Sequence, residues 1–311
     1  MDNLWLWIGF HVILVMMLVL DLGVFHRRAH AVSLREAAIW SVVWVSLALL
    51  FNAAIYAWSG PAAGMEFLTG YLIEKALSVD NIFVFVLIFS YFRVPAPYQH
   101  RVLFWGVLGA ILMRAGLIAV GASLIARFHW IMYLFGAFLV FTGVKMALQK
   151  HEAADPSGSP LVRFVRRLMP VSDEYDGQRF LTVRDGARVA TPLLLVLVMV
   201  EASDLVFAVD SIPAIFAVTQ EPFLVYTSNI FATLGLRSLY FLLAGVVAKF
   251  RFLKLGLAMI LSFVGLKMLV MGVYKIPVGV SLGVIAAILA VSIVASLLLA
   301  VPKAPAVSST D

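Results

Sequence analysis

The sequence predicts an all-α fold: a polytopic membrane helix bundle of about nine transmembrane helices, with two inverted three-helix repeats. Three observations carry this: the hydrophobic share of the chain, a row of long apolar stretches, and a recurring pattern of charges inside them. Of 311 residues, 63% are hydrophobic and 13% charged, and the mean hydropathy is +1.03. A water-soluble domain has too little interior to hide that much apolar surface, so lipid must cover it.

The apolar stretches lie at 4–24, 37–58, 67–91, 101–125, 129–148, 192–218, 223–247, 253–274 and 277–300. Each is close to the ~20 residues that cross a bilayer. The first has no basic leader, is long, and is followed by His26, Arg27 and Arg28. It is therefore expected to stay in the membrane and not to be cleaved as a signal.

The net charge of +6 could suit nucleic acid, but its distribution points to membrane orientation. Counted with the N-terminus outside, 16 loop Lys and Arg residues fall on the inner side, and only Arg127 and Lys275 on the outer. Cytoplasmic loops carry such an excess. The N-terminus is thus expected outside and the C-terminus in the cytoplasm, with no nucleic-acid partner.

The chain divides into two N-terminal helices (1–66), a first three-helix repeat (67–148), a long cytoplasmic loop (149–190), a second repeat (191–274), and a last helix with a tail (275–311). Within the loop, Leu161-Val162-Arg163-Phe164-Val165-Arg166-Arg167-Leu168 predicts a short basic amphipathic helix at the lipid surface. Phe180 to Val189 alternates around Asp185-Gly186, which predicts a β-hairpin. A regulatory role for the loop and a plain solvated linker are both compatible with this pattern.

The repeat is legible in the charges. Ser78-Val79-Asp80-Asn81-Ile82 returns as Ala208-Val209-Asp210-Ser211-Ile212 at an offset of 130, which also aligns Glu74 with Asp204. Arg114 returns as Arg237, and Gly143-Val144-Lys145-Met146 as Gly265-Leu266-Lys267-Met268. Each half is an acidic helix, an Arg helix and a Gly-x-Lys-Met helix. An odd number of spans per repeat inverts the second half, an arrangement that places transporter substrate sites at the repeat interface.

A charge at the bilayer centre costs on the order of 3 kcal/mol. Yet the spans hold the acids Glu74, Asp80, Glu201, Asp204 and Asp210 and the bases Lys75, Arg114, Lys145, Arg237 and Lys267. Equal numbers give formal neutrality. Pairing that merely holds the bundle together is one account, and it suits the charge-balancing bases best. The acids, concentrated on two helices, instead suit a hard cation. Carboxylates, the amide of Asn81 and the hydroxyl of Ser211 match Mn²⁺, Mg²⁺ or Ca²⁺.

The absence of cysteine excludes disulfides, thiolate ligands and cysteine nucleophiles. The 12 Met residues have no paired ligand spacing and read as packing. His11, alone in its apolar run, and Asp21, at a span end near Arg27 and Arg28, read as structural. Helix geometry limits convergence. Asp80 lies about 120° around the helix from Glu74, and Asp210 about 180° from Glu201. Pro213 is expected to bend or open the second acidic helix beside Asp210 and free backbone carbonyls there.

Two stretches carry a family resemblance: Tyr71-Leu72-Ile73-Glu74-Lys75-Ala76-Leu77-Ser78-Val79-Asp80-Asn81, and Glu201-Ala202-Ser203-Asp204 continuing to Asp210-Ser211-Ile212-Pro213. With Asp21-Leu22-Gly23-Val24-Phe25-His26 and Gly265-Leu266-Lys267-Met268, they make nearly the whole chain resemble the TerC family, in its Alx-like branch. The resemblance implies a multi-pass protein of the inner membrane, in the lysine-exporter superfamily, associated with Mn²⁺ export. It also implies that the family's intramembrane acids map to Glu74, Asp80, Glu201, Asp204 and Asp210. The family name refers to tellurium resistance, but an oxyanion suits five acids poorly.

The expected function is thus divalent cation transport with Mn²⁺ as the moved ion, Ca²⁺ or Mg²⁺ as alternatives, protons as exchange partners and no permanently bound cofactor. A metal-loading or metal-sensing membrane partner would use the same site. An intramembrane aspartyl enzyme is disfavoured, because the Gly-x-Gly-Asp and His-Glu-x-x-His patterns are both missing. No enzymatic activity is expected.

Overall fold

The computed structural model describes residues 4–25, 32–148, 160–184, 186–244 and 252–298. Helices α1 (Leu4–Phe25), α2 (Leu34–Tyr91), α3 (Ala96–Arg127) and α4 (Ile131–Leu148) form the first half of the chain. A short helix α5 (Pro160–Leu168) and a hairpin β1 (Leu181–Arg184), β2 (Ala187–Ala190) follow. The second half holds α6 (Pro192–Phe216), α7 (Pro222–Leu234), α8 (Leu236–Leu243), α9 (Leu253–Val270) and α10 (Val278–Leu298). Among the described residues, six helices are long and apolar enough to cross a membrane: α2, α3, α4, α6, α9 and α10.

At 58 residues, α2 is too long for one crossing. Ser33 starts it, its hydroxyl accepting the Glu36 N–H at 3.2 Å. At Gly60 the backbone leaves the helix with φ +88°, a conformation only glycine adopts freely, and Pro61 restarts it. The chain turns back on itself there. A Cβ on Gly64 would lie 3.3 Å from the Tyr56 Cα, and the Phe51 and Phe67 rings are 5.5 Å apart. In a straight helix those residues would be roughly 12 and 24 Å apart. The gap expected between the stretches at 37–58 and 67–91 is therefore a helical hairpin. The sequence reading misses it because Gly-Pro signals a break, not how few residues the reversal needs.

Two further expectations are corrected. The stretch at 223–247 is not one helix: α7 stops at Leu234 and α8 begins at Leu236. Gly235 sits at the joint, where a Cβ would approach the Lys75 Nζ to 2.6 Å. Residues 245–247 of that stretch lie outside the described residues. Pro213, in turn, does not open α6. The helix runs through it to Phe216 with no non-helical residue, and ends one turn later, where the Ala217 N–H bonds the Pro213 carbonyl at 3.1 Å. So near a helix end, the lost N–H disturbs only the last turn.

The helices touch where side chains are smallest. α4 packs along α9 with backbones in contact: a Cβ on Gly136 would lie 2.9 Å from Gly265 O, and one on Gly143 2.7 Å from Ala258 O. Because the higher residue on one helix meets the lower on the other, the two run antiparallel. Such small-residue contacts are how membrane helices approach closely. The second limb of α2 and α6 are also antiparallel, since Asn81 meets Asp204 and Gly70 meets Ile215. By contrast, α6 runs parallel to α3 and the second limb of α2 parallel to α7 (Gly106 meets Val200 and Gly121 meets Phe216; Gly70 meets Ser228 and Lys75 meets Ala232).

The outer surface is apolar, with Leu50, Val42, Leu112, Phe141 and Val291 all exposed, as lipid contact requires. Trp5, Trp58, Trp130 and Tyr274 are exposed at one set of helix ends, and Tyr91 and Phe164 near the other. Aromatic rings prefer those two membrane boundaries. His11 lies among Trp7, Phe10 and Tyr226, its Nδ1 2.8 Å from Trp7 O. That is a packing role, as expected.

The described part of the long loop, from residue 160 on, is a folded cap. α5 and the hairpin form where predicted, with Val162 and Val165 buried and Gly186 at φ +78°; Asp185 lies outside the described residues. The Tyr175 hydroxyl donates to Phe92 O at 2.8 Å, and burial pushes its phenol up to about 12. The Thr182 hydroxyl donates to Asp176 Oδ2 at 2.7 Å, which with the nearby Arg179 holds that carboxyl below the usual range. The described part of the loop is thus tied to the end of α2. The expected roles of Asp21, Arg27 and Arg28 fall on side chains outside those described.

Candidate cation site

Glycines bring α2, α3, α6 and α7 close enough for their polar side chains to meet. Beyond the contacts above, a Cβ on Gly109 of α3 would fall inside the Glu201 carboxylate. Since side chains three, four and seven residues apart share a helix face, the second limb of α2 aims Glu74 and Asn81 in one direction, and α6 likewise aims Asp204 and Ser211.

At the centre is Arg114, 1% exposed. Its Nη1 donates to Glu74 Oε1 and, at 3.0 Å, to Asn229 Oδ1. Its Nε and Nη2 donate to the two Asp204 oxygens at 3.1 and 2.9 Å, a bidentate pair. Asn229 Nδ2 donates to Glu74 Oε2 at 3.1 Å, and Asn81 Nδ2 to Asp204 Oδ1 at 3.2 Å. Glu74, Asn81, Asp204 and Asn229 are buried to within 2%. One guanidinium therefore joins a carboxylate of α2 to one of α6, and side-chain amides complete the network. Removing one member of such a buried pair typically costs about 3–5 kcal/mol.

The other expected site residues are distributed around this centre. Glu201 packs on Gly109, with its Oε2 buried and without a hydrogen-bond partner. Asp210, half-buried, accepts a hydrogen bond from Thr142 and feels the charge of Lys145, away from Arg114. Asp80 is half-buried on the neighbouring face of α2. Ser211 is 1% exposed and its hydroxyl has no partner. Lys75 donates to Ala232 O at 3.2 Å beside Glu74. Arg237 is buried on α8, Lys145 lies on an exposed face of α4, and Lys267 feels the charge of Glu66. Pro213 lies inside intact helix.

The five acids thus do not converge. Among the described residues, no three His, Cys, Asp or Glu side chains stand together as metal ligands. The reason is the helix angle: residues six apart, such as Glu74 and Asp80, cannot share a face without a break, and neither helix breaks there. Asn229, Thr142 and Glu66 are missed in the sequence. The polar run Tyr226-Thr227-Ser228-Asn229 inside an apolar stretch is the signal that points to Asn229.

Comparison with known proteins agrees with this architecture. The family model described as "Integral membrane protein TerC family" matches residues 59–304. An uncharacterized membrane protein of Myxococcus xanthus is 57% identical over 293 residues, covering 94% of this chain and 92% of its own. A protein of Escherichia coli named "Putative membrane-bound redox modulator Alx" is 54% identical over 299 residues, covering 93% of each chain. An uncharacterized membrane protein of Rickettsia bellii is 42% identical over 292 residues, covering 94% of this chain and 97% of its own. No solved structure matches the chain.

Proposed function

This chain belongs to the TerC family of integral membrane proteins, and on that premise we propose that it carries a divalent cation, Mn²⁺, out of the cell through a site at the Glu74–Asp204 centre. The observation that supports this most is the joining of carboxylates from two helices around one guanidinium, deep in the bundle and shielded from lipid. Hard oxygen donors suit Mn²⁺ and its neighbours Mg²⁺ and Ca²⁺; the preference for Mn²⁺ and for export rests on the family.

The reading includes nine membrane passages in the inner membrane, with the N-terminus outside, and two inverted repeats at 67–148 and 191–274. The helix directions favour it. The two acidic helices are antiparallel, and so are the two Gly-x-Lys-Met helices. Their contacts also exchange under the repeat: Gly136 and Gly143 correspond to Ala258 and Gly265, and Gly136 meets Gly265 as Gly143 meets Ala258. Rocking of one repeat against the other would open the centre alternately to each side. Protons compete with metal for every carboxylate, so a pH gradient is a natural drive. The reading assigns no enzymatic step.

A relative's name speaks of redox modulation. A chain without cysteine has no thiol couple to supply it, whereas moving a redox-active ion such as manganese would alter redox balance indirectly. The test is Mn²⁺ flux in proteoliposomes holding only the purified protein, under an imposed pH gradient. Wild-type flux is expected, with Glu74→Gln and Asp204→Asn at least tenfold slower. A folded wild type that binds Mn²⁺ but does not move it would replace transport with metal loading or sensing.

A further inference from the structure

Resting on the transport reading of this same site, we infer that Arg114 is a built-in occupant of the cation position, displaced toward Glu201 when the ion arrives, and that Asn229 and Asn81 are ligands of that ion. The guanidinium bonds oxygens of Glu74, Asp204 and Asn229. A hard divalent cation would take those same atoms. Independently, Asn81 points its Nδ2 at Asp204 while its Oδ1 is buried with no hydrogen-bond partner. A buried carbonyl oxygen left unpaired beside a carboxylate calls for a ligand.

The displaced side chain has a track and a destination. Long side chains on a helix lean toward its N-terminus, over the preceding turn. On α3 that surface includes Ala110 and Gly106, which line a small cavity together with Asp204. The Glu201 carboxylate lies against the neighbouring Gly109, with Oε2 buried and unpartnered. Arg114 thereby exchanges one acidic partner set for another without entering lipid. Glu201 is then the receiver of the guanidinium and not a ligand of the ion.

Equilibrium Mn²⁺ binding to the purified protein in detergent, read alongside flux and thermal unfolding, tests this. Arg114→Gln is expected to bind Mn²⁺ at least tenfold tighter than wild type while its flux falls, because nothing then competes for the site or expels the ion. Glu201→Gln is expected to bind several-fold more weakly, because the displaced guanidinium has lost its receiver. Asn229→Leu is expected to weaken binding, and Asn229→Asp to strengthen it. Folded Arg114→Gln protein that binds no tighter than wild type would overturn the inference. If that variant does not fold, unchanged binding in Glu201→Gln overturns it instead. Should Glu74→Gln and Asp204→Asn leave binding and flux intact, the transport reading itself falls. Should they abolish both while Arg114→Gln fails to tighten binding, only the role of Arg114 falls.

Discussion

Gly265→Ala puts one methyl group where α9 crosses α4. The added Cβ would sit 2.6 Å from Gly136 O and 2.8 Å from Val140 N. The nearer contact is about 0.8 Å short of ordinary van der Waals separation, and both atoms are backbone, so no side chain can swing aside. The helices must part along the crossing. Overpacking of this kind costs about 1–3 kcal/mol, and the gain of alanine over glycine in a helix returns about 1 kcal/mol. A net loss of up to about 2 kcal/mol corresponds to a midpoint up to roughly 3 °C lower for a chain of this size. Thermal unfolding of the purified protein in detergent measures it. Gly116→Ala is the control, since nothing lies within 4 Å of its added Cβ. It keeps the helix-propensity gain without the clash, so its midpoint should hold or rise. Equal midpoints for the two variants would refute the backbone-contact argument. Because the same crossing joins the two proposed repeats, Gly265→Ala should also slow Mn²⁺ flux.

Other expectations concern the centre and the cap. Asn229→Ala removes the donor to Glu74 and an acceptor from Arg114, so it should destabilise by about 1–3 kcal/mol, visible as a lower unfolding midpoint. Tyr175→Phe deletes the hydrogen bond to Phe92 O; limited proteolysis at 172–190 should speed up several-fold, as expected from about 1 kcal/mol, with the helices untouched. The depressed Asp176 carboxyl contributes stability that is present above the unfolded value near pH 4 and lost as pH falls through its folded value. Hydrogen exchange at 181–190, corrected for intrinsic rates, should therefore show protection falling on acidification, and Thr182→Val should flatten that dependence. Protection that is the same at neutral and acid pH would remove the carboxylate from the account.

The membrane class, the helical stretches, α5, the hairpin and the set of intramembrane charges are all legible in the sequence, because each depends on local composition or spacing. Twenty apolar residues in a row need no partner to declare themselves, and Asp-Gly between alternating runs specifies its own turn. Asp204 and Glu74 are visible as costly charges for the same reason. What only the tertiary structure decided is which charges meet. Arg114 sits 40 residues from Glu74 and 90 from Asp204, and the glycines that let α3 touch α6 give no sign in the sequence of which backbone they approach. Asn229 joins the centre only because Gly70 lets α7 lie against α2. Asp210 leaves it because an intact helix holds a residue six positions beyond Asp204 on another face. The fold class follows from how each segment partitions between lipid and water. The site follows from where close backbone contacts let distant side chains satisfy one another in the dry interior, a property of pairs of segments and of neither alone.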